Sequence, residues 1–598
     1  MKTDVTYLGT VINVDSTSIE VEVSEDIPSS APIINGRLYR IGQIGTLVKI
    51  PVGNIKLYGI VASVSNLPNQ LNNIDGAVPD KGSRYLQVQL VGEQIGESKF
   101  ERGIGSFPTI NDEVHLVTED DLKQIYGDQA KGLIEIGKHS SSENLSVYLD
   151  LNNFVLRHGA VLGSTGSGKS NTVAHIINEI LCSFDGSRIV LIDIHGEYST
   201  AFSNKCKVYK INDTVNPLHV PYWTLNFDEL SFFLVGRPNG QERPEDKRLR
   251  EEILKHKKES ADKLKSGNVK TDFITADSPI PFDIKKMWHD FNREVYGTFS
   301  KAGAIEQNRD TEELENEGDF KNLIPAKFKP YSVSSAAPYK SKNETMYSYE
   351  QKIHSRLKDS RYKFMFNPDE YNDIDSSKDL DSLIRNWIEH DERLSILDLS
   401  GVPFELIDIT VGIVTRLIYD SMYWGKNESY TGRNRPLLMV FEEAHSYLPR
   451  NEGNSHIYGY ARKAVEKIFK EGRKFGLGAL VVTQRPSEIS ETILAQVGTF
   501  IALRLTNSSD KSTVKSAAPN NMTSLIDLLS SLRRGEAIIV GESIEIPSRV
   551  RIKEYTPRPS SNDPDLCNKW GQSFASNENN YKEVITAMRE QKHIIKGS

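Results

Sequence analysis

The sequence predicts an α/β fold in three parts: a small β-barrel at the amino end, a nucleotide-binding core of parallel strands, and a helical block inserted into that core. Three observations carry this prediction. Apolar and polar residues alternate with period two up to about residue 125. The run GAVLGSTGSGKS places a phosphate-binding loop between an apolar strand and a helical pattern. From about Trp223 to Arg393 the signal turns helical and charged, and strand-like apolar runs resume at Leu394.

The alternation is clearest where Ile19, Val21 and Val23 interleave with Glu20 and Glu22, and where Leu86, Val88 and Leu90 interleave with Gln87 and Gln89. Further apolar runs at Gly45 to Ile50, Leu57 to Val64 and Glu113 to Val117 are separated by Gly, Pro, Asn and Asp clusters, the pattern of a small barrel over residues 1–130. The barrel shows no stripe of aromatics with Lys and Arg, so protein docking or oligomerisation is the expected role, ahead of oligonucleotide binding. Residues 131–222 begin the core, with strands from Ile134 to Leu149 feeding it.

G-x-x-x-x-G-K-S runs from Gly163 to Ser170, with Ala160, Val161 and Leu162 before it and Val173, Ile176, Ile177, Ile180 and Leu181 at helical spacing after it. Strand, loop and helix in that order make a cradle from Gly163, Ser164, Thr165, Gly166, Ser167, Gly168, Lys169 and Ser170 to Asn171. The glycines let backbone N–H groups close round phosphates, and the helix N-terminus adds partial positive charge. ATP is the expected nucleotide, with Lys169 on the β/γ-phosphates and Ser170 on Mg²⁺. RIVLIDI, Arg188 to Ile194, is a strand whose tip carries Asp193, His195 and Glu197; polar residues there face the ligand crevice. Asp193 and Glu197 are stronger candidates than His195, because the phosphate loop is expected on a neighbouring strand.

Residues 223–393 read as the insertion. Arg243 to Lys265 holds nine Lys or Arg against six Asp or Glu, most simply a solvated helical face, with DNA contact the alternative. Phe299 to Thr345 is polar and is expected to contain a mobile loop. The core resumes over 394–557. After LSILDL comes a helix from about Glu405 to Trp424, then the buried strand LLMVF ending in Glu442 and Glu443. A carboxylate at such a tip holds the Mg²⁺ water shell, and the next one polarises the water that attacks the γ-phosphate. The strand GALVVT ends at Gln484, placed to hydrogen-bond that water or the γ-phosphate. The polar tail, 558–598, carries a final helical pattern from Tyr581 to Gln591 and is expected to brace a neighbouring subunit.

A net charge of −8 excludes a chain coated in basic residues, so any nucleic-acid contact must be local, as inside a channel. The three cysteines form no metal-spaced pair, and no run of about 18 apolar residues occurs, which together suggest a cytoplasmic protein without its own membrane anchor.

The segments GAVLGSTGSGKSNT, LIDIHGEY, VFEEAHSYLP and EGRKFGLGALVVTQRPSEI resemble those of HerA-type DNA translocases, in the HerA/FtsK branch of RecA-like P-loop ATPases. The amino-terminal region is similar to that family's barrel. The resemblance implies a homo-hexameric ring with ATP sites between subunits and double-stranded DNA through the pore. It implies that Lys169 and Ser170 bind nucleotide and Mg²⁺, with Asp193 and Glu442 beside the metal. Glu443 is then the catalytic carboxylate and Gln484 the sensor. Arg157 and Arg473 become candidates for an arginine acting in a neighbour's site, with Arg504, Arg533 and Arg534 in reserve. Position 442 is Glu where such motors commonly have Asp. Arg450, Arg462 and Lys463 are the candidate DNA contacts. The implied partner is an effector on the barrel face, a NurA-like nuclease or, in antiphage systems, a nuclease or sirtuin-type NAD-consuming enzyme. DNA end repair and antiphage defence both remain open. A conjugation or secretion pump and an ATP-dependent assembly scaffold are the rival readings.

Overall fold

Alternating side chains close the described strands between Tyr7 and Leu116 round an apolar interior. In the computed structural model β1 (Tyr7–Val14), β2 (Ser18–Val23), β3 (Leu47–Val52), β4 (Ile55–Ser65), β5 (Arg84–Ile95) and β6 (Glu113–Leu116) pair in the order β2-β1-β6-β3-β4-β5. β5 pairs back onto β2, with Val88 opposite Ile19 and Leu86 opposite Val21. Among the described residues closure leaves no long unpaired edge, and Leu8, Val11, Ile19, Val21, Val48, Ile50, Leu57, Val61 and Val88 fill the inside.

The residues described are 4–16, 18–25, 33–34, 37–38, 43–66, 84–126, 132–140, 142–211, 213–236, 243–264, 269–301, 309–334, 336–341, 346–372, 374, 378–450, 459–518, 523–560, 566–572 and 581–590. They fall into two units. One is Met1–Cys206 with Asp391–Ile396 and Tyr419–Asn562; the other is Lys207–His390 with Leu397–Ile418 and Asp563–Ser598. The barrel therefore belongs to the same unit as the nucleotide core, and the inserted unit begins at Lys207, earlier than the change in composition near Trp223.

The core sheet is built from β7 (Leu133–His139), β8 (Ser142–Asp150), β9 (Gly159–Leu162), β10 (Ile189–Asp193), β11 (Leu394–Asp398), β12 (Leu437–Phe441), β13 (Leu477–Thr483), β14 (Thr499–Leu503), β15 (Glu536–Gly541) and β16 (Ser548–Ile552). Their order is β8-β7-β16-β15-β14-β9-β13-β12-β10, continuing into β11. β14, β9, β13, β12 and β10 are mutually parallel, and β15, β16 and β7 extend the sheet antiparallel. Every residue of those five parallel strands is buried, which explains their unbroken apolar runs. One expectation changes here. β10 does not adjoin the phosphate-loop strand β9, because β13 and β12 lie between them. Asp193 is instead a direct neighbour of the acidic strand β12.

α1 (Lys169–Ser183) follows the phosphate loop. The inserted unit contains α2 (Phe227–Val235), α3 (Pro244–Ala261), α4 (Ile284–Tyr296) and α5 (Tyr347–Lys358). Asn226 and Glu229 cap α2 reciprocally. Trp288 of α4 stacks on His354 of α5 with ring centroids 4.4 Å apart, and its indole N–H donates to Glu350. One sequence expectation is corrected, and another falls partly outside the described residues. Within Phe299 to Thr345, where a mobile loop is expected, Leu314–Asn316 pairs with Lys327–Phe328 and Leu323 and Ala326 are buried, while 302–308, 335 and 342–345 lie outside the described residues. The charged stretch beginning at Arg243 is not a wholly solvated face, since α3 buries Leu249, Glu252, Ile253, His256, Lys257 and Ser260 along one side. In the tail, Lys582–Glu590 is helical and mostly exposed. Among the described residues no helix is long and apolar enough to cross a membrane.

Candidate nucleotide site

The site forms where parallel strands end together. The Gly163 N–H donates to the Thr483 carbonyl, tying the loop to the tip of β13, and both the Ser164 N–H and its Oγ donate to the Arg504 carbonyl just past β14. On the far side the Gly535 N–H donates to the Ser167 carbonyl. The loop needs glycine at its ends. A Cβ on Gly163 would lie 2.5 Å from Ser167 Oγ and 2.9 Å from Leu503 Cβ, and Gly168 has φ +111°, a conformation other residues rarely adopt. Gly168 caps α1, so Lys169 starts the helix, buried near its positive end. Thr165 Oγ1 donates to Gln484 Oε1, which brings the β13 tip to the loop apex.

Opposite the loop, Glu442 and Glu443 follow β12. Glu443 takes φ +45°, the left-handed region that a non-glycine residue enters at a cost, and begins the turn Ala444–Ser446. Glu442 Oε2 is buried without a hydrogen-bond partner, whereas the buried Glu443 Oε2 lies at ion-pair distance from His445. Burial first, and then the Glu443 charge, push the Glu442 carboxyl well above its usual range, against the pull of Lys169. Burial also raises Glu443, but His445, whose Nδ1 is 3.3 Å from Oε2, together with Lys169 and His195, outweighs it and leaves that carboxyl lowered. The two adjacent acids are thus driven apart, the arrangement that separates an ionised base from a neutral neighbour.

Asp193 does not present free oxygens. Its Oδ1 accepts from the His195 and Gly196 N–H groups and its Oδ2 from Tyr198, so it shapes the turn that carries Glu197. Glu197 is the carboxylate that reaches the loop, accepting from Ser170 Oγ at 3.4 Å, and burial followed by Asp193 raises its pKa. His195 is exposed. The side-chain oxygen of Asn171 accepts the Tyr555 N–H and anchors the segment after β16. The donors around Ser170 are hard oxygens, Glu442 Oε2 is buried without a hydrogen-bond partner, and Glu442 and Glu197 are each raised in part by a neighbouring carboxylate, so the site is short of positive charge and the residues fit Mg²⁺ with a nucleotide phosphate.

The arginines divide by sheet end. Arg157 precedes β9 and pairs with Glu542, and Arg473 lies in the turn Gly472–Phe475 before β13. Both sit at the amino ends of the strands, away from their own phosphate loop. Arg504, Arg533 and Arg534 flank that loop instead: the Arg504 carbonyl holds Ser164, its Nε is buried without a partner, and Arg533 and Arg534 lead into Gly535. The cue for this trio was their position just after β14 and just before β15, but only the strand order places those points beside β9. Of the expected DNA contacts, Arg462 is committed internally, to Glu466 at 2.8 Å and to the Pro449 and Arg450 carbonyls. Arg450 pairs with Glu491, Lys463 is exposed, and 451–458 lie outside the described residues.

Family models, curated relatives and solved structures match this chain. The family model for the central domain of helicase HerA matches residues 134–418, and that for the HerA-like C-terminal domain matches 431–567. The DNA double-strand break repair helicase HerA of Saccharolobus solfataricus is 28% identical over 554 residues, covering 88% of this chain and 91% of that one. The HerA of Pyrococcus furiosus is 26% identical over 521 residues, covering 86% and 85%. Among solved structures, the bacterial conjugative coupling protein TrwB aligns with a TM-score of 0.42 at 16% identity, covering 75% of this chain and 94% of its own. Because the two family models together span well over half of the sequence and enclose both the phosphate loop and the acidic strand, the chain belongs to the HerA helicase family.

Proposed function

We propose that this chain is an ATP-driven translocase and helicase on double-stranded DNA, working as a closed ring of six. The observation that carries the proposal is the meeting of the phosphate loop, the acidic pair of buried Glu442 and His445-paired Glu443, and Gln484 at the ends of neighbouring strands. Backbone N–H groups from Gly163 to Ser170 and the Lys169 ammonium bind the phosphates. Ser170, Glu442 and Glu197 would hold Mg²⁺, directly or through its waters, and the ion would supply charge neutralisation across the β- and γ-phosphates. Glu443, kept ionised, accepts the proton of the attacking water. Gln484 leaves Thr165 to bond that water or the γ-phosphate, so loss of phosphate is felt along β13. Arg504 adds a cation from the same chain, and Arg157 or Arg473 one from the neighbour, since each lies at the strand ends opposite its own loop.

The relatives' names as double-strand break repair helicases support DNA as the track. An acidic chain confines DNA contacts to the pore, with Arg450 and Lys463 as the remaining candidates. The closed barrel carries none of the ATP motifs and is assigned to docking an effector, a nuclease or NAD-consuming enzyme, in end repair or antiphage defence. The decisive experiment compares ATP turnover with and without duplex DNA in wild type and Glu443→Gln, alongside native mass. DNA-stimulated turnover by a six-chain particle, lost in the variant while ATP binding persists, is expected. Turnover indifferent to DNA, with effector activity unchanged in Glu443→Gln, would establish the scaffold reading instead.

A further inference from the structure

The inserted unit contains a second cluster of metal-ligating side chains, unrelated to the nucleotide site. Glu252 and His256 stand one turn apart on the inward side of α3, and Asp290 faces them from α4; one ligand atom from each lies within 4.8 Å of the others. His256 Nε2 is 3.4 Å from Glu252 Oε1 and 3.4 Å from Asp290 Oδ2. The His256 and Glu252 side chains are each only 4% exposed, and Nε2 points between the two carboxylates at ion-pair distance without a hydrogen bond of good geometry to either.

Those distances are informative. A protonated imidazole caught directly between carboxylates closes to about 2.7–2.9 Å, as charge-assisted N–H···O bonds do. A tetrahedral ion with ligands about 2.0–2.2 Å away separates them by roughly 3.4 Å, the edge of the tetrahedron. One imidazole nitrogen with two carboxylate oxygens is also a donor set that suits first-row transition ions, and the E-x-x-x-H spacing puts two of the ligands on one helical face. The surrounding cations leave room for it. Arg248 is held chiefly by Glu294, at 2.8 Å against 3.2 Å to Glu252, while Lys255, which donates to Glu252 Oε1, is half exposed and has solvent to turn into.

We propose that Glu252, His256 and Asp290 bind a first-row transition ion such as Zn²⁺ through three protein ligands and a water, and that the ion clips α3 to α4. The charged sequence of α3 then has a reason to turn acids and a histidine inward. The site is independent of ATP and separable from the translocase reading, so either can fail alone.

The test uses the full chain, stripped with EDTA and titrated with Co²⁺ or Zn²⁺ in the absence of nucleotide. Wild type is expected to take up one ion per chain in a site showing the visible absorption of low-coordinate Co²⁺, and to melt at a higher temperature with Zn²⁺ than with EDTA. His256→Gln should weaken this binding roughly 100-fold or more and remove both the spectrum and the Zn²⁺-dependent shift. Asp290→Asn, which keeps shape and a neutral oxygen, provides the same reading should His256→Gln fold poorly. Ions held by the nucleotide-site carboxylates are common to all three proteins and cancel in the comparison. Absence of uptake by wild type, or equal uptake and spectra in wild type and variants, overturns the proposal.

Discussion

Glu443 shows how a single residue can be aimed by backbone strain. Its positive φ turns the chain immediately after β12, so two consecutive acids enter one pocket instead of pointing to opposite faces of an extended strand. Glu443→Gln keeps this shape and removes the base; kcat should fall by about 10²–10⁴ with ATP still bound, as read by turnover and by equilibrium nucleotide binding. Lys169→Ala should lose binding and turnover together. A second residue-scale prediction concerns His158, buried at the foot of β9, whose Nδ1 accepts the Ala479 N–H at 3.1 Å. Burial lowers its pKa to about 4, against a smaller upward pull from a Phe469 backbone hydrogen bond. The native state therefore keeps it neutral where the unfolded chain, titrating near 6.5, takes up a proton. Stability contributed by this histidine is fully present above about pH 6.5 and is lost as pH falls towards 4, at up to ~1.4 kcal/mol per pH unit. Melting temperatures of wild type and His158→Gln, followed from pH 7 to 4, should show the steeper acid decline in wild type.

Among the elements, the phosphate loop depends on three strand tips at once: β13 through Thr483, β14 through Arg504 and β15 through Gly535. Gly163→Ala places a methyl against Ser167 and Leu503 and displaces Lys169 with the loop. A shift of about 1 Å should cost roughly 100-fold in kcat/KM while circular dichroism stays native. Retained activity would mean that the loop adjusts without moving its lysine. Arg504→Ala removes a cation beside the loop but leaves the carbonyl that holds Ser164, so it should lower kcat more than it raises KM for ATP. A change confined to KM would make Arg504 a binding residue only.

For the whole molecule, Arg157 and Arg473 become useful only if a neighbour's site receives them. Lys169→Ala mixed with Arg157→Ala or Arg473→Ala, each inactive alone, should regain part of the turnover in rings shown to have exchanged subunits. If neither mixture recovers, neither arginine acts across the interface. DNA binding makes a parallel prediction at this scale. Replacing Arg450 and Lys463 with alanine should lower the salt slope of duplex binding by about one unit for each phosphate no longer neutralised. Unchanged affinity and slope would move the DNA site elsewhere.

Much of this was legible in the chain itself. Period-two alternation marked the barrel because each strand has one face to the core. Unbroken apolar runs marked the parallel strands because both faces are covered, and the glycine spacing marked the phosphate loop because only those positions tolerate its backbone. Strand order was not legible, since a parallel sheet leaves each strand's neighbours to long crossovers that no local pattern encodes. The tertiary structure alone therefore put β12 and β13 between β9 and β10 and gave Asp193 a turn to hold in place of the expected metal. It also brought Glu197 to Ser170 and set Arg504 beside the loop. The same reason governs α3: its charge count suggested a solvated helix, and only packing against α4 decides that Glu252 and His256 face inward, because helical charge becomes buried or exposed according to what lies across from it.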